Sequence, residues 1–531
     1  MKTKFYNGLI TAVILSLIFI TGCIKDLNTL PLDPDVFSSE KVYSDFGNYE
    51  KVLAKLYAGL ALTGQKGPDG DADLKGLDEG FSQYLREYWY AQELPSDEAV
   101  LGWGDASLAL LAKMNFSPSN EFTTVMYSRI FYQIALCNEF IRESTDAKLT
   151  EHGFNETQKS TIGIYRAEAR FLRAFSYYHA LDLFGNVPFV TEDDGVGAFL
   201  PEQISRADLF DYVESELLAI ENELLAPRTN VYGRVDRAAD WMLLARLYLN
   251  AEVYGKTAKY TETITYTKKV IDAGYVLEDT YAHMFMADNH LANGIIYAVP
   301  FDGLNSKSWG GTTFLVNAEI GGSMVPADFG VSGGWWGLRA KPQFVDKFPA
   351  DNSDKRKMFW TDGQVKEIAS LTNFTDGYAV MKWSNMKSTG GAGSNGTHPD
   401  TDQPIFRLAD AYLMYAEAVL RGGTGGSAST ALGYVNDIRT KAYGGTSGNI
   451  TQGEMTLSFI LDERARELYW EGYRRTDLIR YGLFTGGTYL WTWKGGTQEG
   501  LATDSKFNLY PIPDADMGAN PNLDQNPGYG N

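Results

Sequence analysis

Apolar residues recur every three or four positions along much of this chain, the spacing that places them on one face of an α-helix. The segment Thr161–Leu183 shows this most clearly, with apolar side chains at Ile164, Ala167, Phe171, Phe175, Tyr178 and Leu181. The same spacing predicts six further helices, over Asn48–Leu60, Asn120–Glu143, Asp236–Asn250, Phe406–Leu420, Ala428–Ala442 and Leu457–Trp470. The chain is therefore predicted to be mainly α-helical.

One of these predicted helices carries a repeat signature. Its large and small residues stand at offsets 0, 3, 4 and 7, as in the tetratricopeptide repeat: Trp241, Leu244, Ala245 and Tyr248. In that repeat the small residue lets two helices of a hairpin approach, and the large residues fill the space between hairpins. The other helices match loosely, so we predict a degenerate tetratricopeptide-like helical-repeat scaffold.

Two long stretches interrupt the helical pattern, about 63–118 and about 291–401, and both are rich in glycine and tryptophan. Long irregular insertions in a compact scaffold are usually functional, so we expect the binding site there. Together with the scaffold they are predicted to form a single domain, 46–531. Its helical scaffold is assigned to about 46–62, 119–290 and 402–485.

The N-terminus has the layout of an export signal. A positive start precedes the apolar run Leu9–Ile20, which is too short to span a bilayer, since that needs ~20 residues. The run ends in Ile-Thr-Gly-Cys, which resembles a bacterial lipoprotein box; an ordinary secretory peptide is the alternative. We therefore predict a signal peptide over 1–22, lipidation of Cys23 and a tether over 23–45.

Net charge and amino-acid composition exclude several classes of ligand and of protein. The 531 residues include 47 Lys and Arg against 67 Asp and Glu, a formal net charge of −20. This argues against nucleic acid, whose binders carry basic patches, and against acidic polysaccharides. A hydrophobic content of 44% excludes a disordered chain, and 13% aromatic residues leave rings for purposes other than the core. With Cys23 lipidated, Cys137 is predicted to be a small buried residue of a helix.

No motif predicts catalysis. The five histidines have no metal-ligand spacing, and no nucleophile elbow of the Gly-x-Ser-x-Gly type occurs. The glycines of 391–396 fit a dinucleotide-binding pattern but lack the flanking strand and helix. Paired glycosidase carboxylates cannot be judged from spacing among 67 acidic residues. We predict no enzyme activity and no cofactor; whether an acidic loop holds a structural calcium ion stays open.

Three segments, 166–189, 463–480 and 510–513, resemble the hallmark sequences of the SusD/RagB family. This resemblance covers essentially the whole mature chain. It implies a non-catalytic glycan-binding lipoprotein on the outer face of a Bacteroidetes outer membrane, which covers a SusC-like TonB-dependent transporter. The implied fold has four tetratricopeptide-like hairpins with ligand-binding loop insertions. The charged hallmark residues are predicted to pair within the fold: Glu463, Arg466, Glu467 and Arg474.

Five shorter segments are similar to the starch-binding founding member of that family: 63–67, 76–80, 93–98, 309–313 and 491–496. In that protein an arc of aromatic side chains follows the natural curve of an α-1,4-glucan. Carried over by this resemblance, the arc falls on Trp103, Trp309 and Trp335, and its polar partners fall on Asp78 and Arg86.

The chain departs from that relative in places. An asparagine of its site falls near Asp105, where this chain has no amide, and Trp336 is an additional candidate. The three tryptophans of the arc could instead be core residues, but each lies beside glycine, which favours surface loops. Four other tryptophans are assigned to packing: Trp89, Trp241, Trp360 and Trp470.

We therefore predict binding of starch or maltooligosaccharides, which stack their apolar ring faces on indole and offer hydroxyls to polar groups. A neutral sugar also tolerates the acidic charge. Another neutral glycan such as the β-1,3-glucan laminarin is the nearest alternative. A peptide ligand, a surface glycoside hydrolase and a purely structural lid are the others.

Overall fold

The computed structural model describes residues 38–195, 197 and 199–530. The predicted signal peptide, Cys23 and most of the predicted tether lie outside the described residues. Helices dominate the described part of the chain: α1 Ser39–Tyr43, α2 Phe46–Ala61, α3 Tyr84–Glu93, α4 Ala106–Ala112, α5 Glu121–Glu143, α6 Asp146–Glu151, α7 Glu156–Leu183, α8 Arg206–Ile220, α9 Arg237–Leu249, α10 Tyr260–Asp272, α11 Gly311–Ala318, α12 Pro342–Val345, α13 Leu408–Leu420, α14 Ala428–Tyr443, α15 Leu457–Leu468, α16 Arg474–Arg480 and α17 Asp514–Ala519.

The strands are short and lie between these helices: β1 Ala99–Leu101, β2 Val187–Pro188, β3 Gln203–Ile204, β4 Ile295–Val299, β5 Leu338–Ala340, β6 Phe359–Trp360, β7 Ala379–Val380 and β8 Gln403–Arg407. They form two-stranded antiparallel ribbons, which pair β1 with β5, β2 with β3, β4 with β8 and β6 with β7. The ribbon β1–β5 joins the two predicted insertions to each other.

The long helices pack side by side around one hydrophobic core, in the pairs α5–α7, α7–α8, α9–α10, α10–α13 and α13–α14. The repeat signature lies on α9. There Leu244 and Ala245 are fully buried and Tyr248 nearly so, while Trp241 is half-buried. Cys137 is also fully buried, as predicted. The mainly helical, repeat-like fold is thus confirmed.

Helix boundaries differ from the periodicity where capping decides them. The helix α7 begins at Glu156 rather than Thr161, because Asn155 and Gln158 form a capping box. The Asn155 and Gln158 backbone N–H groups each donate to the side chain of the other, at 3.0 Å in both cases. The helix α13 begins two residues later than predicted, since Phe406 pairs with β4 in strand β8.

Several helices were not predicted, among them α3, α4, α8 and α10. The helix α3 lies inside 63–118, which the sequence indicated to be loop-rich, and nine of its ten residues are buried. Buried residues on all its sides, including polar ones, remove the one-sided apolar pattern by which a helix is recognised. The stretch is therefore part loop and part core helix, and α3 carries Arg86 to the site described below.

The charged hallmark residues pair inside the fold, as predicted. Glu463 is buried and accepts hydrogen bonds from Arg356, Arg439 and Arg466. Glu467 forms ion pairs to two arginines, and Arg474 forms one to Asp97. These groups hold loops and helices in register. Among the described helices, none is long and apolar enough to cross a membrane.

Candidate functional site

The ribbon β1–β5 brings two distant tryptophans together. Just past the paired residues, the Gly102 N–H donates to the Gly337 carbonyl oxygen at 3.1 Å. Trp103 therefore lies beside Trp335, although 232 residues separate them, and its Nε1 donates to the Trp335 carbonyl oxygen at 3.0 Å. A Cβ on Gly337 would stand 2.7 Å from the Trp103 ring, so this close approach requires glycine.

Three tryptophans form a row of rings, which we call the arc: Trp103, Trp335 and Trp309. The Trp103 and Trp335 centroids are 6.2 Å apart with an angle of 52° between the ring planes. The Trp335 and Trp309 centroids are 6.0 Å apart with an angle of 54°. All three side chains are half-buried, so each ring rests on protein and keeps part of its surface in solvent. Successive ring planes are therefore inclined to one another rather than coplanar.

Local contacts fix the third ring of the arc. Trp309 is followed by Gly310, where an added Cβ would stand 2.2 Å from Gln83 Cβ, so the chain passes closer than any side chain allows. The Trp309 Nε1 donates to Asp69 Oδ1 at 2.6 Å. The His398 ring lies 4.7 Å from the Trp309 ring, centroid to centroid. The indole is therefore held before any ligand arrives.

Arg86 connects the arc to α3. It is 6% exposed, and its Nη1 donates to the carbonyl oxygens of Gly80 and Trp309 at 2.7 and 2.8 Å. Its Nε donates to the Tyr90 hydroxyl at 2.8 Å, and its guanidinium lies 5.5 Å from the Trp103 ring centroid. Within the described residues no hydrogen bond engages Nη2, which leaves that group available to a ligand hydroxyl.

The other predicted site residues lie around the arc. Asp78 is exposed, and its Oδ1 accepts from the Gly80 N–H at 2.6 Å, in the loop that Arg86 contacts. Asp105 is exposed two residues after Trp103, at the start of α4, and forms no side-chain capping hydrogen bond. Trp336 has its ring on a neighbour outside the arc, Phe374, at a centroid distance of 5.7 Å.

Three residues of the site were missed by the sequence reasoning: Asp69, Phe314 and His398. Phe314 packs edge-on against Trp103 with a centroid distance of 6.0 Å. Burial lowers the pKa of His398, so its ring is neutral near pH 7 and offers Trp309 an uncharged partner. None of the three belongs to a motif, and only the folded chain brings them to the arc.

The tryptophans assigned to packing do contact the core. Trp89 and Trp470 are fully buried, with ring centroids 5.7 Å apart in an edge-to-face arrangement. Trp241 and Trp360 are half-buried against the same core. Burial confirms the assignment to packing for Trp89 and Trp470, whereas Trp241 and Trp360 contact the core but are half-buried, as the rings of the arc are.

The arc is an open surface rather than a cavity. A cavity of about 260 Å³ lies elsewhere, lined among others by Tyr232, Tyr275 and Tyr297. The candidate site is the arc, the position that the family resemblance implies, and not this cavity. In the part of the chain that the structure describes, no group of three or more His, Cys, Asp or Glu is placed to hold a metal ion.

Comparison with known sequences gives a full-length relative. The chain is 36% identical to the "Starch-binding protein SusD" of Bacteroides thetaiotaomicron, over an alignment of 587 residues that covers 100% of both chains. It is 24% identical to "SusD-like protein P2" of Formosa agariphila, over 72% of this chain and 77% of that one. The sequence model of the SusD family matches residues 305–529.

Comparison with solved structures gives the same fold. A SusD homologue from Bacteroides thetaiotaomicron superposes with a TM-score of 0.72 at 19% identity, over 92% of this chain and 98% of that one. Surface glycan-binding protein A of the same species, in complex with laminarihexaose, superposes with a TM-score of 0.68 at 19% identity, over 90% and 99%. These likenesses show a shared fold, and the full-length sequence identity goes further: the chain belongs to the SusD family.

Proposed function

We propose that this protein binds starch and maltooligosaccharides on the arc, without catalysis, and delivers them to a SusC-like TonB-dependent outer-membrane transporter. The observation that carries the proposal is the row of Trp103, Trp335 and Trp309, whose successive ring planes are inclined by 52° and 54°. A chain of α-linked glucose is itself curved, so each ring can meet a different sugar face. Each such contact contributes ~1–3 kcal/mol by analogy with stacked bases.

Polar groups beside the arc supply the remaining contacts. The free Nη2 of Arg86 is a donor for sugar hydroxyls, and the exposed carboxylate of Asp78 is an acceptor in the adjoining loop. The exposed carboxylate of Asp105 stands where an amide is expected from the family resemblance, so it can accept but not donate. The site therefore keeps aromatic stacking as its main contact and hydrogen bonds as its means of orientation.

Laminarin is the second candidate, because a protein of this fold is known in complex with laminarihexaose. Starch is favoured since the full-length relative at 36% identity is named for starch binding, whereas the laminarihexaose complex is 19% identical. A surface glycoside hydrolase would need paired carboxylates at the sugar. Among the described residues, the carboxylates of Asp69, Asp78 and Asp105 lie beside the arc; all are exposed, and the Asp69 carboxylate already accepts a hydrogen bond from Trp309.

Affinity electrophoresis tests the ligand. The soluble protein should be retarded by amylopectin and pullulan and migrate freely through laminarin and xylan. The variant Trp103→Ala should lose the retardation. Trp241→Ala is the matched control, because it also truncates a half-buried tryptophan with an indole hydrogen bond, but on α9. Retardation by laminarin alone would replace starch with the second candidate, and release of reducing sugar would make the protein a hydrolase.

The cellular location is part of the same proposal. We infer that Cys23 is lipidated and holds the protein on the outer face of the outer membrane, where the transporter captures the sugar. The variant Cys23→Ala should appear in the soluble fraction while the unaltered protein sediments with membranes. Co-purification of a TonB-dependent barrel with the membrane-bound protein tests the partner, and its failure under cross-linking would contradict the delivery step.

A further inference from the structure

Trp336 is the most exposed of the eleven tryptophans, with 55% of its surface in solvent. Its backbone also adopts a φ of 53°, in the left-handed region that favours glycine and that bulky residues rarely occupy. Neither property serves folding, because an exposed ring gains little from burial and a strained backbone costs stability. An exposed ring on a strained backbone indicates a role other than packing in the core.

The ring of Trp336 is nevertheless held in place. Its backbone N–H donates to the Ile320 carbonyl oxygen at 3.0 Å. Its side chain covers Gly321, where an added Cβ would stand 2.9 Å from Trp336 Cγ, and the Phe374 ring supports it at 5.7 Å. The indole is therefore held on the side that contacts Gly321 and Phe374, and its remaining surface is exposed to solvent. A ring that is already held loses less conformational entropy when a ligand stacks on it.

Trp470 has a similar positive φ but a structural role. Its φ is 61°, but its side chain is fully buried and its carbonyl oxygen accepts a hydrogen bond from Trp89 Nε1 at 3.1 Å. Burial and hydrogen bonding offset the strain there. Trp336 has the hydrogen bond to Ile320 and the contact with Phe374 but not that burial, so less of its strain is offset within the free protein.

The loop that supports Trp336 also reaches the arc. The carbonyl oxygen of Leu371 would stand 2.6 Å from a Cβ on Gly102, next to Trp103. The same loop exposes the hydroxyl of Thr372, an uncharged group suited to sugar hydroxyls, whereas the side chain of Asn373 already bonds to Asp376 and Thr375. Aromatic support and a neutral polar group thus continue outward from the arc along one surface.

We propose that Trp336 forms a second aromatic platform, which binds the stretch of the same glucan chain that extends beyond the Trp103 end of the arc. This inference rests on the proposed function. It makes the protein selective for chain length: a short maltooligosaccharide fills the arc alone, while a long chain also reaches the platform. The Thr372 hydroxyl then offers a hydrogen bond to the sugars that stack on Trp336.

The experiment compares maltotriose with amylose by titration calorimetry, using the unaltered protein, Trp336→Gly and Trp336→Phe. Glycine suits the backbone at this position, so the turn is retained and the unfolding free energy should not fall. Trp336→Gly should bind amylose about tenfold more weakly, the effect of one lost stacking contact, and maltotriose within about twofold of the unaltered protein. Trp336→Phe should keep most of the amylose affinity. Leu291→Ala, which truncates an exposed side chain elsewhere, is the control.

The outcomes separate the two proposals. If the unaltered protein binds neither ligand, the proposed function fails, and the platform fails with it. If the unaltered protein binds both and Trp336→Gly does the same, the arc stands and the platform is wrong. An equal loss for maltotriose and amylose would also overturn the platform, since Trp336 would then act only through the arc.

Discussion

The Arg86 Nη1 donates a hydrogen bond to the Trp309 carbonyl oxygen at 2.8 Å, which joins the helix α3 directly to the loop that carries the third ring of the arc. The same Nη1 also donates to the Gly80 carbonyl oxygen at 2.7 Å. One buried guanidinium therefore holds two loops that are far apart in sequence. The site depends on this residue for position as well as for contact with ligand.

Arg86→Lys should weaken glucan binding by about tenfold, because an ammonium group cannot hold both carbonyl oxygens and the Tyr90 hydroxyl in the geometry of a guanidinium. The lost hydrogen bonds should also lower the unfolding free energy by about 1–3 kcal/mol. Affinity electrophoresis and urea denaturation measure the two effects. Arg166→Lys is the control, since that side chain is 25% exposed and contacts the scaffold at Asp146. Unchanged binding by Arg86→Lys would contradict the positioning role.

Asp69 provides a separate test of how the arc is held. Its Oδ1 accepts a hydrogen bond from Trp309 Nε1 at 2.6 Å, yet the residue itself is exposed. Asp69→Ala should free the indole to rotate and weaken amylopectin binding by about threefold, the cost of ordering one side chain. The unfolding free energy should change by less than about 0.5 kcal/mol. Asp69→Asn keeps an acceptor and should restore binding; if both variants bind equally weakly, the carboxylate contacts the sugar instead.

Periodicity predicted seven of the helices, because apolar residues recur along them at helical spacing, but it did not predict α8 or α10. Glycine neighbours set the three tryptophans of the arc apart as candidates for binding. The same reasoning missed α3, since a helix buried on all sides has no apolar stripe. It also missed Asp69 and His398, which belong to no motif.

The pairing of β1 with β5 could not be predicted from sequence either. Each of these strands has only three residues, and the bond from Trp103 to Trp335 spans 232 positions. Short strands carry too little alternation to be recognised or aligned by pattern. The three residues of the arc were predicted from the family resemblance, whereas the distances between their rings and the contacts that hold them are known only from the structure.

Glu463 allows the hallmark charges to be tested as structural groups. Burial alone would raise the pKa of this carboxyl, but Arg356, Arg466 and Arg439 outweigh it and hold the pKa well below its usual range. Glu463→Gln leaves those guanidinium groups without their charge partner, so it should lower the unfolding free energy by about 3–5 kcal/mol. Urea denaturation at neutral pH measures the loss, and the folded variant should keep its glucan affinity.

The control for Glu463 is Glu156→Gln, because that side chain is 92% exposed in its pair with Lys159 and should cost less than about 0.5 kcal/mol. The pH dependence gives a second readout. A lowered pKa contributes stability above the ordinary value of about 4.3 that is lost as the pH falls further. The unaltered protein should therefore lose more stability than Glu463→Gln on acidification from pH 5 to pH 3. If Glu463→Gln and Glu156→Gln lowered the unfolding free energy equally at neutral pH, the structural role of Glu463 would be contradicted.

Glu93 and Glu98 form a buried pair of carboxyl groups with the opposite behaviour. Both are almost fully buried, and Glu93 Oε1 accepts from the backbone N–H groups of Gly472 and Tyr473 at 2.7 and 3.1 Å. Burial raises the pKa of Glu93 to about 7. Burial, together with the neighbouring Glu93, raises the pKa of Glu98 well above its usual range.

The unfolding free energy should therefore fall as the pH rises from about 5 to about 7, because the folded chain keeps protons that the unfolded chain has released above about 4.3. Glu98→Gln removes one of these protons and should make the decline shallower by up to about 1.4 kcal/mol per pH unit. Urea denaturation at half-unit pH steps measures the slope, with Glu499→Gln, on an exposed loop, as the control. Parallel curves for Glu98→Gln and the unaltered protein would contradict this prediction, because the pair would then be ionised in the folded protein. Arg474, which lies 3.7 Å from Glu98, would in that case have to balance two neighbouring buried charges.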